Sequence, residues 1–144
     1  MFDVREFRDL CHRHGLAATH QRQVIYEAVI ELHDHPNPEA VYDQVRKKMP
    51  AISLGTVYKN IRIFLESGIL RQASIHYGSM RVEANHRPHH HFVCTNCKSI
   101  LDLPEQVFGA VRLRRKLPSG FRVHKLALDV VGLCPKCSVR HASR

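Results

Sequence analysis

Apolar residues recur at helical spacing through the first half of the chain and gather in shorter, strand-like runs through the second. Val4, Phe7, Leu10, Cys11 and His14 share one helical face and Gly15 ends the run, so a first helix is expected over residues 3–14. Thr19 can cap a second helix whose face is Val24, Ile25, Ala28, Val29 and Leu32. Asn37 followed by Pro38 signals a third, carrying Val41, Tyr42, Val45 and Met49, with Arg46, Lys47 and Lys48 in a last turn that suits cations. Ser53 caps a fourth, over residues 54–68, with Leu54, Val57, Ile61, Phe64 and Leu65 as its core stripe. Two short strands, 69–75 and 79–84, turn about Tyr77-Gly78 as a hairpin.

Beyond residues 85–88, which look like a hinge, the pattern changes. Strands are expected over 92–94 and 99–101. A helix opens at Pro104 and Glu105 and runs through Val107, Ala110, Val111, Leu113 and Leu117 to Pro118-Ser119-Gly120. One long strand covers 121–133, and the tail after Cys137 is expected to fray. The whole is an α+β fold: an N-terminal winged helix-turn-helix over residues 1–84, a hinge at 85–88, and a small α/β dimerisation domain with structural zinc over 89–144. A sheet-plus-helix unit this small is expected to pair with a second copy.

The side of the fourth helix left outside its stripe is polar. Ser53, Gly55, Thr56, Tyr58, Lys59 and Arg62 form a candidate DNA-binding face. Lys59 and Arg62 suit phosphates or guanine edges, and Tyr58 suits a phosphate or a thymine methyl. The alternative is a solvated face. A net charge of +9 favours a polyanionic partner. Its distribution does not single out this helix: residues 1–84 hold eleven Lys/Arg against ten Asp/Glu, and residues 85–144 hold eleven against three. No apolar run approaches the roughly 20 residues that span a bilayer. The opening Met1-Phe2-Asp3-Val4-Arg5-Glu6 has no apolar signal core, so a cytoplasmic protein without membrane partners is expected.

Residues 86–102 are the densest in metal-capable groups. Cys94 and Cys97 form one C-x-x-C knuckle and Cys134 and Cys137 a second. Two knuckles complete a closed tetrahedral site, so a structural Zn²⁺ is expected there, with a redox dithiol as the alternative. Cys11 stands alone on an apolar stripe and reads as a buried small hydrophobe. His89 and His91 alternate and so face one side of a strand. With Asp102 at the end of the next strand, Glu83 at the end of the hairpin and His35 in the break between helices, they offer three imidazoles and two carboxylates. That set suits Fe²⁺ or Mn²⁺ and also accepts Zn²⁺ or Ni²⁺. His90 points the other way. A small metalloenzyme is a separate reading, but no positioned base stands out.

Gln21-Arg22, His35-Pro36, Ser53-Leu54-Gly55-Thr56-Val57-Tyr58, the run His89 to Cys97, Asp102 and Cys134-Pro135-Lys136-Cys137 together resemble the ferric uptake regulator family over essentially the whole chain. The resemblance implies a homodimeric, metal-dependent repressor of operator DNA, with His35, Glu83, His89, His91 and Asp102 as the regulatory site between its domains. Asp102 resembles the peroxide-responsive branch, in which bound Fe²⁺ leads to oxidation of a ligand histidine; His35 and His89 are the candidates. Glu83 departs from that branch, which usually has aspartate, so an iron- or manganese-responsive regulator is the alternative. Pro88 and Gly109 stand where some iron sensors have further ligands, and His20 where the family often has proline.

Overall fold

The computed structural model of the chain describes residues 3–73, 79–109, 111–124 and 126–142, the side chains of the last two excepted. The chain divides into two compact units, Met1–His86 and Arg87–Arg144.

The first unit opens with four helices: α1 (Val4–Arg13), α2 (His20–Leu32), α3 (Pro38–Lys48) and α4 (Leu54–Ser67). Each begins where a short polar side chain accepts a backbone N–H of the first turn: Asp3 from Arg5, Thr19 from Arg22, Asn37 from Ala40 and Ser53 from Thr56. Phe7, Cys11, Val24, Ile25, Val29, Val41, Val45, Val57, Ile61 and Phe64 pack into one buried cluster. At its centre the rings of Phe7, Tyr26 and Phe64 meet at 5.2–6.4 Å. Cys11 is fully buried there, and burial pushes its thiol pKa up, as suits a packing residue. Leu54, expected in the stripe, lies in the first turn of α4 and is exposed.

Gly68 caps α4 in the left-handed region (φ 78°), which turns the chain so that Ile69 and Leu70 enter the core. Two strands follow, β1 (Arg71–Gln72) and β2 (Val82–Glu83), antiparallel with Arg71 opposite Glu83. The turn expected at Tyr77-Gly78 lies outside the described residues. The Val82 N–H donates to the Pro36 carbonyl, and His86 Nε2 lies 3.0 Å from the Ile69 carbonyl.

The second unit is built on a three-stranded sheet of β3 (His89–Cys94), β4 (Ile100–Pro104) and β5 (Asp129–Gly132). β3 is central, antiparallel to β4 and parallel to β5.

Three expectations for this half need correction. The helix over 104–117 is absent among the described residues; Ala110 lies outside them. β4 runs to Pro104, a single 3-10 turn covers Glu105–Val107, and the chain continues irregularly. Arg112, Arg115 and Lys116 would repel one another at helical spacing, and Val107, Val111, Leu113 and Leu117 are exposed, so that no buried face supports a helix. The strand over 121–133 shrinks to Asp129–Gly132; Lys125 lies outside the described residues. Parallel pairing with β3 begins at His91 opposite Asp129, and immediately before β3 comes Pro88, which has no N–H for a ladder. The tail is not frayed to its end: α5 spans Pro135–Ala142, with proline in its first turn. No helix of the described residues is long and apolar enough to cross a membrane.

Candidate metal centres

β3 ends in Cys94, and a tight turn places Cys97 three residues before the next strand. Lys98 takes the left-handed conformation (φ 61°) needed to close this knuckle, a position where a side chain carries strain. Cys134 precedes α5 and Cys137 lies in its first turn. The four Sγ atoms all lie within 4.8 Å of one another, and Cys97 and Cys134 are 3.7 Å apart at sulfur. Sulfurs bound tetrahedrally to zinc are about 3.8 Å apart.

The surrounding polar groups favour anionic sulfur. The Cys134 N–H donates to Cys94 Sγ at 3.4 Å, the Asn96 side-chain amide donates to Cys137 Sγ at 3.2 Å, and the Ser99 hydroxyl lies 3.2 Å from Cys97 Sγ. The N–H groups of Cys134 and Cys97 hold the Cys94 thiol down to about 6, and Ser99 lowers that of Cys97. For Cys137 the Asn96 amide pulls downward, but burial and the other three cysteines push its thiol up to about 11. Zn²⁺ fits these residues on distance, donor type and charge. Asn96 and Ser99 were not singled out from the sequence, although both lie in or beside the first knuckle.

On the same strand His89 and His91 project together. His89 Nδ1 lies 2.7 Å from the Arg87 carbonyl and must donate to it, which leaves the Nε2 lone pair facing inward. That Nε2 is 3.1 Å from His91 Nε2, and Asp102 Oδ1 is 3.6 and 3.7 Å from the two. Ligand atoms at about 2.1 Å from one ion lie about 3.0–3.4 Å apart, close to this spacing. The register produces the group, since Asp102 is paired directly opposite His91. Asp129, also opposite His91 but on β5, has Oδ1 at 3.9 Å from His91 Nδ1. It was missed from sequence because its place depends on pairing. His90 points to the other face, where its Nδ1 accepts the Leu128 N–H and its ring meets Phe108 edge-on.

In the first unit His35 and Glu83 form a buried pair, Nε2 to Oε2 at 3.2 Å. His35 has φ 48°, uncommon for a residue with a side chain, and strain of this kind collects at functional positions. Arg71 Nε lies 3.9 Å from the other Glu83 oxygen.

Of the α4 residues expected at DNA, Ser53, Gly55, Tyr58, Lys59 and Arg62 are exposed and Thr56 is half-buried. Gly55 has no packing reason to be glycine: an added Cβ would meet only Ser53 Oγ, at 3.8 Å. Asn60 anchors the helix from behind, donating to the Thr56 carbonyl and accepting from Arg22.

Residues 13–131 match the model of the ferric uptake regulator family. The chain is 29% identical to the peroxide operon regulator of Bacillus subtilis over 136 residues, 94% of each protein. It is 30% identical to the peroxide-responsive repressor PerR of Staphylococcus epidermidis over 123 residues, 85% of this chain and 82% of that one. The solved ferric uptake regulator Fur of Helicobacter pylori shares its fold, with a TM-score of 0.70 at 17% identity over 94% of this chain and 91% of the other. Four helices, a short ribbon, a three-stranded sheet and a four-cysteine cluster thus accompany a sequence match over most of the length, and the chain belongs to the ferric uptake regulator family.

Proposed function

We propose that this protein is a cytoplasmic, homodimeric repressor that binds operator DNA when loaded with a regulatory metal and releases it after peroxide oxidises one of its ligand histidines. The observation that carries the sensing part is the His89, His91 and Asp102 group, with both Nε2 atoms and one carboxylate oxygen at 3.1–3.7 Å. Its donor set, two imidazoles and a carboxylate, suits Fe²⁺ or Mn²⁺ rather than a thiophilic ion. In this reading His35 and Glu83 of the first unit complete the site, Cys94, Cys97, Cys134 and Cys137 hold structural Zn²⁺, and residues 85–88 act as the hinge. Similarity to two regulators named for peroxide supports the branch.

Ligands drawn from both units would favour one relative orientation of the two, the one in which paired α4 helices enter successive major grooves. Ser53, Gly55, Thr56, Tyr58, Lys59 and Arg62 would face the DNA. Exposed Leu113, Leu117, Phe121, Val123 and Val131 supply apolar surface for a second copy. Bound Fe²⁺ would supply the one-electron chemistry that activates peroxide, which Mn²⁺ does not. His35 and His89 are the rings expected to take up oxygen; either, once oxidised, is a poorer donor, so metal and DNA affinity fall together.

The test is mass spectrometry of protein loaded with Fe²⁺ or Mn²⁺ and then given hydrogen peroxide. One added oxygen on His35 or His89, in the iron form alone, is expected. If neither ring gains oxygen, peroxide sensing is lost and an iron- or manganese-responsive regulator remains. Glu83 favours that second reading, since the peroxide-responsive pattern usually has aspartate there.

A further inference from the structure

Tyr58 sits on the exposed side of α4, and its hydroxyl donates to Glu39 Oε1 at 2.5 Å. Glu39 lies in the first turn of α3, nineteen positions away, and is itself exposed. The α3 N-terminus favours a carboxylate at that place. Glu39 also raises the pKa of the Tyr58 phenol, which therefore stays protonated and keeps donating.

A phenol has a single O–H donor and two acceptor lone pairs. With the donor held by Glu39, Tyr58 cannot bond a phosphate oxygen, which only accepts. What it still offers is a lone pair and a ring face. Those match groups on base edges: the amino hydrogens of adenine or cytosine, and the methyl of thymine. A carboxylate beside them also lowers affinity for the backbone of every sequence alike. The α3 N-terminus accounts for a carboxylate in this turn, but its bond to Tyr58 also changes what the recognition face can read.

Resting on the proposal that α4 binds DNA, we infer that Glu39 is a positioning residue for sequence readout: by occupying the Tyr58 hydroxyl proton it makes Tyr58 a reader of bases instead of a phosphate contact. This narrows the two roles open to Tyr58 on sequence grounds to one.

The experiment selects bound sequences from a randomised duplex pool with Mn²⁺-loaded wild-type protein. The affinity ratio of a selected duplex to an unselected one is then measured for the variants. Glu39→Ala is expected to lower that ratio about tenfold, the scale of one base contact, while affinity for the unselected duplex is kept or raised. Glu39→Gln retains the ratio, because its amide oxygen still accepts the proton. Tyr58→Phe lowers the ratio, and the Glu39→Ala/Tyr58→Phe double variant falls no further. The inference is overturned if Glu39→Ala leaves the ratio unchanged, if it weakens both duplexes equally, or if its loss adds in full to that of Tyr58→Phe. Wild-type protein that retains no duplex at all overturns the DNA-binding proposal beneath it. That result is distinct from a wild type that discriminates alongside an unaffected Glu39→Ala.

Discussion

The two units are stabilised by different physics. The first buries a continuous apolar cluster from Phe7 to Val82. In the second, among the described residues, the buried apolar side chains are only Val93, Cys94 and Cys137, while Leu101, Val107, Phe121, Val131 and Val139 are exposed. One half folds by removing hydrocarbon from water. The other rests on a strand ladder, four converging sulfurs and whatever surface a second copy covers. A unit of this size with so little core needs a metal or a partner to stay folded.

The largest effect should come from breaking the weaker half. If the cysteines hold structural Zn²⁺ as proposed, Cys134→Ser, or stripping that ion with a strong chelator, removes binding energy of about 10 kcal/mol or more. Hydrogen exchange should then show β3, β4 and β5 exchanging much faster, as a loosened unit, while α1–α4 keep their protection. Equal loss of protection in both units would refute the contrast.

The converse break is Phe64→Ala. Phe64 is fully buried and meets Phe7 edge-on at 6.4 Å. The expected loss is about 3–5 kcal/mol in the first unit, read by denaturant titration of the helical signal. Zinc content should not change; a protein that loses zinc as well would mean that the two halves fold as one.

A smaller change separates packing from ligand approach. Gly55→Ala in α4 should stabilise the first unit by about 0.5–1 kcal/mol, since alanine suits a helix better and space for the methyl exists. Binding to duplex DNA should nevertheless weaken if the backbone comes close at this position. Unchanged retention would remove Gly55 from the DNA face.

The smallest effect concerns the metal-free second unit. Cys94 is held below its ordinary thiol value of 9.0, at about 6, so the folded form binds fewer protons than the unfolded chain between those limits. Stability from this group is present in full above 9 and lost as pH falls through 6. In chelator-treated, reduced protein the melting temperature should therefore rise from pH 6 to 9, and Cys94→Ser should flatten the slope.

The same contrast explains what could be read from sequence. α1–α4 were legible because each has a cap, a periodic face and a stop within one stretch of chain, and because a core exists to reward the pattern. The cysteine cluster was legible because two C-x-x-C pairs carry their own local geometry. The helix expected through Leu113 and Leu117 failed because periodicity cannot report whether a surface waits to cover it. The strand expected from Phe121 ran long because its length is set by β3 and Pro88, not by its own residues. Asp129 beside His91, Arg71 beside Glu83 and Glu39 beneath Tyr58 depend on register or on helix packing, and no spacing rule reaches them.

One feature of β3 has a consequence for assembly. Three successive histidines lie on a strand enclosed on both sides, and side chains alternate faces at every step. A slip of one residue against β4 or β5 would bring His90 to the face of Asp102 and turn His89 and His91 to the opposite side. Nothing in the chemistry of three identical rings distinguishes the correct alignment from the error. Cys94 does, because a shift of about 3.3 Å would carry its sulfur out of reach of the other three. Metal held by all four cysteines would therefore favour the observed strand alignment. Under the proposed function, a chain synthesised without metal at the cysteines would have not only a looser second unit but one that could offer the wrong imidazole to the regulatory ion.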